Sequence, residues 1–249
     1  MSVLRVPYHL DEYLPDLGLP LEEGRDITPA LPAGAVWDRL AVLYSAVGQA
    51  VADLTRRGAR PVVVSGDCTT SLGIMAGLQH GGLDPAIVWF DAHGDVQTLE
   101  TTTSGYLGGL PLRLLMGYRP GLICDRLGLR PVPEDLVLLA GARDLDPPEA
   151  GYLATAAVRQ AAVTALTPAD LPAGPLYVHL DVDVLDPAEV PALRYPAAAG
   201  VTGGELTAAV RMLLATGRVA AVGVACSWHP GHEPSPALPR ALGSVLAEA

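Results

Sequence analysis

Two short acidic motifs carry the chemistry of this chain: Asp91-Ala92-His93-Gly94-Asp95, and Asp181-Val182-Asp183 with Leu185-Asp186-Pro187 behind it. In extended backbone, side chains at i, i+2 and i+4 share a face. Asp91, His93 and Asp95 are therefore expected to converge on one side, and Asp181 and Asp183 on another. Four carboxylates aimed into one crevice repel strongly unless cations lie between them. Oxygen-rich ligation with one added imidazole suits Mn²⁺ or a similar divalent ion. Two such ions can bridge one water and lower its pKa, so the indicated reaction class is metal-assisted hydrolysis. The competing reading is that these are turn-forming or helix-capping aspartates, which are common after strands. The presence of both motifs at the ends of two apolar runs favours the metal.

Those apolar runs, and others like them, must position the motifs. Val3 to Val6, Pro61 to Val64, Ala86 to Phe90, Leu136 to Ala140, Leu176 to Leu180 and Val219 to Ala225 are short and continuous rather than alternating. That pattern suits strands of a parallel sheet buried on both faces. Between several of them lie amphipathic segments that read as helices: Trp37 to Arg57, stopped by Gly58, then Ser71 to Gln79 and Glu205 to Thr216. Alternating strand and helix predicts an α/β fold with a central parallel sheet covered by helices on both faces. Ligands of such sheets bind beyond the carboxyl ends of the strands, where both acidic motifs fall. The Pro/Gly-rich stretches are too short to be linkers and no repeat is evident, so residues 1–249 read as a single domain.

Composition excludes several classes of function. Half of the 249 residues are hydrophobic and 17% are charged, enough for a substantial core. No apolar run is long enough for a membrane span, and the N-terminus lacks a secretion signal. The net charge of −11 argues against nucleic acid as a partner. Three scattered cysteines, Cys68, Cys124 and Cys226, make no disulfide framework, so a cytoplasmic compartment is expected. The chain contains neither lysine nor asparagine, which rules out a lysine-bearing phosphate loop.

Trp89-Phe90-Asp91-Ala92-His93-Gly94-Asp95 and His179-Leu180-Asp181-Val182-Asp183-Val184-Leu185-Asp186-Pro187 resemble the two metal-binding signatures of the arginase/agmatinase (ureohydrolase) superfamily. Ser65-Gly66-Asp67-Cys68 resembles its Gly-Gly-Asp-His element, Thr102-Thr103-Ser104-Gly105 the loop after its metal-binding strand, and Gly141 to Pro147 a segment of arginases proper. The resemblance runs from about residue 60 to residue 230. It implies a three-layer αβα arginase-like fold, a binuclear manganese centre with two Mn²⁺, a small guanidino substrate, and a homo-oligomer, trimer or hexamer. The implied metal ligands are Asp91, His93, Asp95, Asp181 and Asp183, with Asp91 and Asp181 bridging, and Cys68 at the position of a further ligand. Gln97, Ser104, Asp146 and Ser227 are the candidate substrate contacts. Asp146 matches the carboxylate that holds an α-amino group, although a surface or capping carboxylate is the alternative reading.

Three departures from the family pattern matter. Cys68 stands where the family has a histidine ligand; its sulfur suits softer ions than Mn²⁺, so that metal is expected to be held weakly or replaced. A buried cysteine without metal contact is the plainer alternative. Gly108 falls where arginases carry a histidine proposed to shuttle protons. Asp95, His229 and His232 are then the candidate catalytic groups, since a leaving amine needs a proton donor. Ser227 aligns with the glutamate that pairs with the substrate guanidinium. A buried cation without its carboxylate costs several kcal/mol, so a serine favours a less basic group, such as an N-hydroxyguanidine. The sequence therefore predicts an amidinohydrolase acting on N-hydroxy-arginine or arginine and releasing hydroxyurea or urea. Two alternatives stand beside it: a hydrolase of another guanidino or formimino compound, and a metal-binding pseudoenzyme.

Overall fold

A computed structural model describes residues 2–19, 21, 23–226, 228, 229 and 243. Among the described residues, eight strands form one sheet: β1 (Ser2–Val6), β2 (Arg25–Asp26), β3 (Pro61–Ser65), β4 (Ala86–Phe90), β5 (Val137–Ala140), β6 (Arg159–Ala161), β7 (Leu176–Asp181) and β8 (Val219–Ala225). Their order is β2-β1-β3-β8-β7-β4-β5-β6, and every neighbouring pair is parallel. A small antiparallel pair, Tyr8–His9 with Glu12–Tyr13, lies outside this sheet.

The apolar runs become the inner strands because each needs partners on both faces. β3, β4 and β5 are buried throughout. Their side chains divide by period two between two cores. Val63, Ile87, Trp89, Leu139 and Tyr177 face one, with α1 (Val36–Arg56), α2 (Ser71–His80), α3 (Pro111–Leu115), α4 (Cys124–Leu127) and α5 (Pro147–Leu153) contributing to it. Val62, Val64, Val88, Phe90, Val178 and Leu180 face the other, against α6 (Gly203–Ala215) and the loops around it. This is the expected three-layer arrangement. The two main helices of the first face pack closely: a Cβ on Gly77 of α2 would stand 2.6 Å from the Gly48 carbonyl of α1, so glycine is what permits that approach.

The edge strands β2 and β6 are short, polar and exposed, and no apolar run announced them. Such edges resist pairing with further strands. α6 begins at Thr202, whose hydroxyl accepts from the Glu205 backbone N–H while the Glu205 carboxylate accepts from the Thr202 N–H, a reciprocal cap. Among the described residues, no helix is long and apolar enough to cross a membrane. β7 and β8 are inserted between β3 and β4, so the ends of these four adjacent strands bring Cys68, Asp91, Asp181 and Cys226 to one edge of the sheet.

Candidate metal centre

The acidic motifs converge through turns rather than through strand alternation. β4 ends at Phe90, and Asp91 Oδ1 accepts from the His93 backbone N–H at 2.7 Å. β7 ends at Asp181, whose Oδ1 accepts from the Asp183 N–H at 2.9 Å, and Asp183 lies in the short 3₁₀ turn that follows. Both aspartates therefore do the turn-forming work that the competing reading assigned to them, and each keeps an oxygen to spend elsewhere. The two turns are joined by the Ala92 N–H, which donates to Asp183 Oδ1 at 3.0 Å.

Two closely spaced groups of potential metal-ligating atoms result, and Asp91 belongs to both. One comprises Asp91, His93 and Asp183; the other comprises Cys68, Asp91, His179 and Asp181, with the donor atoms in each group within 4.8 Å of one another. His93 Nδ1 lies 2.9 Å from Asp183 Oδ2 and 3.4 Å from Asp91 Oδ1. Cys68 Sγ lies 2.7 Å from Asp181 Oδ2. Asp95 adopts a left-handed φ of 54° and belongs to neither group. It remains buried beside them, and its Oδ2 has no hydrogen-bond partner among the described residues.

The electrostatics are those of carboxylates buried close to one another. Burial, and then repulsion from Asp91 and Asp181, pushes the Asp95 carboxyl well above the usual range. Burial, followed by Asp183 and Asp91, does the same to Asp181. Asp183 is pushed up to about 6 by burial and by Asp91. Burial alone would lower His93, but its hydrogen bonds to Asp183 and Asp91 outweigh this and push it up to about 12. The protonated ring is thereby favoured among these carboxylates. Buried carboxylates facing one another, with Asp95 Oδ2 and His179 Nε2 left without partners, fit divalent ions.

A cleft opens over these groups, lined in part by Cys68, His93, Asp95, Asp181 and Asp183. Three of the anticipated substrate contacts are on its wall: Gln97, Ser104 and Asp146. Gln97 is buried and donates to Asp146 Oδ2 at 2.8 Å. Asp146 also occupies the N-cap of α5, where its backbone N–H donates to Glu149 Oε2, so a capping role and a place in the cleft coexist. His229 does not join them. It is exposed and outside the cleft lining, because Trp228 beside it is buried and donates Nε1–H to the Gly18 carbonyl at 2.9 Å, turning residue 229 outward. Ser227 and His232 lie outside the described residues.

Several contributors were not anticipated. His179 sits two residues before Asp181 on β7, on the same face by strand period, and that spacing could have revealed it. Tyr106 explains Gly108: a Cβ there would fall 2.2 Å from Tyr106 Cζ, so the tyrosine ring fills the space in front of the glycine. Tyr106 Oη is 3.3 Å from His9 Nε2, and its ring also meets Tyr195. Arg143 holds the loop after β7, donating to the carbonyls of Asp183 and Ala197 at 3.0 Å, Val184 at 3.2 Å and Ala198 at 2.7 Å. Arg143→Met frees all of these carbonyls. It is expected to cost about 2–3 kcal/mol of stability and to weaken ion binding by roughly 10–100-fold. Denaturant unfolding and metal titration of the variant check this, and unchanged ion affinity would rule out a positioning role for Arg143.

Comparison with known proteins agrees with the geometry. The sequence matches the arginase family over residues 6–227. It is 30% identical to an arginase of Agrobacterium fabrum over 241 residues, covering 87% of this chain and 74% of that one. It is 32% identical to the arginase of Bacillus caldovelox over 178 residues, which is 66% of this chain and 60% of that relative. It is 33% identical to an N(omega)-hydroxy-L-arginine amidinohydrolase of Streptomyces lavendulae over 153 residues, 59% of this chain and 54% of the other. The native structure of the Bacillus caldovelox arginase superposes with a TM-score of 0.83 at 23% identity, covering 98% of this chain and 97% of that one. With the family match spanning nearly the whole chain and the same three-layer fold beneath it, the chain belongs to the arginase family.

Proposed function

We propose that this protein is a metal-dependent amidinohydrolase that cleaves a guanidino C–N bond in an arginine-like amino acid, N-hydroxy-arginine in preference to arginine. The observation that carries the reading is that Asp91 belongs to both groups of potential ligands at the base of one cleft, so two adjacent ions can share it. The residues that would hold the pair are Asp91, His93 and Asp183 on one side and Asp91, Asp181 and Cys68 on the other, with Asp95 beside them; Mn²⁺ is the expected ion for the oxygen-rich position. When bound, such a pair offsets the carboxylate charge and acidifies water, which provides the nucleophile for hydrolysis.

The chain's own residues would do the remainder. Asp146 and Ser104 on the cleft wall suit the amino-acid end of a substrate, with Gln97 holding the Asp146 carboxylate. Tyr106, with His9 behind it, stands on the cleft wall and can donate a hydrogen bond to the substrate; burial holds its pKa too high for it to serve as the general acid, and exposed His229 is outside the cleft lining. Water adds across the C–N bond, giving an amine and urea from arginine, or the same amine and hydroxyurea from the N-hydroxy compound. The Streptomyces lavendulae relative, whose name specifies the hydroxylated substrate, supports this choice.

Release of urea and hydroxyurea from the two substrates, side by side with Mn²⁺-loaded protein, tests the reading. Faster turnover of N-hydroxy-arginine is expected. Ser227→Glu is expected to shift the ratio of kcat/KM toward arginine by about tenfold or more, since one charged hydrogen bond contributes roughly 1.5–3 kcal/mol. An unchanged ratio would count against the substrate assignment. A formimino substrate is the second reading, supported by fold likeness to a formimidoylglutamase of Bacillus subtilis (TM-score 0.70). Turnover of formiminoglutamate but of neither arginine compound would establish it.

A further inference from the structure

The Cys68 position contains more than a missing histidine. His179 is 2% exposed and lies against the same carboxylates, with one ring nitrogen within 4.8 Å of Cys68 Sγ and of an oxygen from both Asp91 and Asp181. Its Nδ1 faces Ser71 Oγ at 3.0 Å and Tyr177 Oη at 3.3 Å. Its ring stacks on Trp89 with centroids 3.6 Å apart. Nε2 has no hydrogen-bond partner among the described residues, although it is fully buried. A buried polar atom left unpaired costs about 1–3 kcal/mol, and a metal ion would relieve that. A ring fixed through one nitrogen and open at the other is the arrangement that a metal-ligating histidine needs.

We propose that Cys68 Sγ and His179 Nε2 are both ligands of the ion shared with Asp91 and Asp181. One imidazole and one thiolate then replace the single histidine that the family places at residue 68, with the imidazole approaching from β7 rather than from the turn after β3. Donors on one such ion can be at most about 4.4 Å apart, given metal–sulfur and metal–nitrogen distances of about 2.3 and 2.1 Å, so the observed grouping needs only small shifts to close. A sulfur, a nitrogen and two oxygens favour a thiophilic, four-coordinate divalent ion such as Zn²⁺, Co²⁺ or Fe²⁺. The neighbouring group, Asp91, His93 and Asp183, offers only oxygen and nitrogen. The protein is thus built for two unlike ions: a soft one at Cys68 and His179, and a harder one at His93. This rests on the metal-centre reading above but not on any hydrolytic activity.

Cobalt binding to the metal-free full-length protein tests it without substrate. The first equivalent of Co²⁺ is expected to produce a near-ultraviolet thiolate-to-cobalt charge-transfer band and intense four-coordinate ligand-field bands in the visible. Zn²⁺ should abolish both, while excess Mn²⁺ should leave them. Cys68→Ser should remove the charge-transfer band. His179→Phe, which keeps a ring against Trp89, should retain the band but weaken cobalt binding by about 10–100-fold or more and reduce the visible intensity. Cobalt bound without a charge-transfer band overturns the proposal, as does His179→Phe with wild-type affinity and spectrum. If either variant fails to fold, X-ray absorption at the zinc edge of the wild-type protein decides: sulfur and imidazole scattering supports the assignment, and a shell of light oxygen and nitrogen atoms alone overturns it. The charge-transfer band without turnover of any guanidino compound would refute the hydrolase reading and leave this one standing. Turnover without the band would do the reverse.

Discussion

Removing divalent ions is expected to lower the unfolding midpoint by roughly 5–11 °C for each ion held at 100 times its Kd. That saturation contributes about 2.7 kcal/mol, and a domain of this size shifts by about 2–4 °C per kcal/mol. The deficit should deepen as pH rises. In the metal-free chain, burial and mutual repulsion hold Asp95 and Asp181 above the usual carboxylate range and Asp183 at about 6, while the Asp183 and Asp91 hydrogen bonds hold His93 at about 12. Each of these groups binds protons more tightly folded than unfolded. Each therefore contributes stability that is complete below its unfolded pKa and is lost as pH rises through its folded pKa. For Asp183 that window lies between about 4 and about 6. Asp91 runs the other way: the His93 hydrogen bond overcomes burial and lowers it, so its contribution is present above the ordinary aspartate pKa and lost below it. Three raised carboxyls outweigh one lowered one. Ions require deprotonated ligands, so their binding strengthens over the same range. Thermal unfolding at about pH 5 and about pH 8, with and without a chelator, measures both effects; a chelator-induced drop no larger at the higher pH would contradict this account.

Trp89→Ala should be the most damaging single change in the core. Trp89 is fully buried on β4 and stacks on His179, and its Nε1–H donates to Asp91 Oδ2 at 2.9 Å. Removing the indole leaves a cavity at the sheet face and costs about 3–5 kcal/mol, or roughly 6–20 °C in the midpoint. Trp89→Phe keeps an aromatic ring against His179 and loses the hydrogen bond to Asp91. It should recover most of the stability while still weakening ion binding. Denaturant melts and metal titrations of the two variants separate packing from ligand orientation. If Trp89→Ala cost under about 1 kcal/mol, this tryptophan would not be the support that its contacts suggest.

The six apolar runs were legible because strands of a covered parallel sheet must be apolar on both faces, which leaves a continuous signal. The edge strands Arg25–Asp26 and Arg159–Ala161 were not, since a short polar edge carries no such signal. The helices were legible through their periodicity and stops, and their ends differ from expectation by one or two residues, as at Gly203–Ala215.

In the candidate site, linear order pointed to the acidic residues but not to their partners. Asp91, His93, Asp181 and Asp183 could be chosen from residue type and spacing, because short-range geometry alone places them after strands. Even there, the period-two argument did not carry over, because turns rather than strand alternation bring these residues together and Asp95 takes a left-handed φ. The pairing of Cys68 with His179, across 111 positions of chain, depends on β7 and β8 being inserted between β3 and β4, a sheet order set by long-range burial rather than by any local propensity. The same holds for Tyr106 in front of Gly108, His9 behind that tyrosine, and Arg143 across the carbonyls near Asp183. Residue identity set which atoms are available to bind an ion; the packed sheet decided which of them meet, because distance in space is fixed only when the whole core closes.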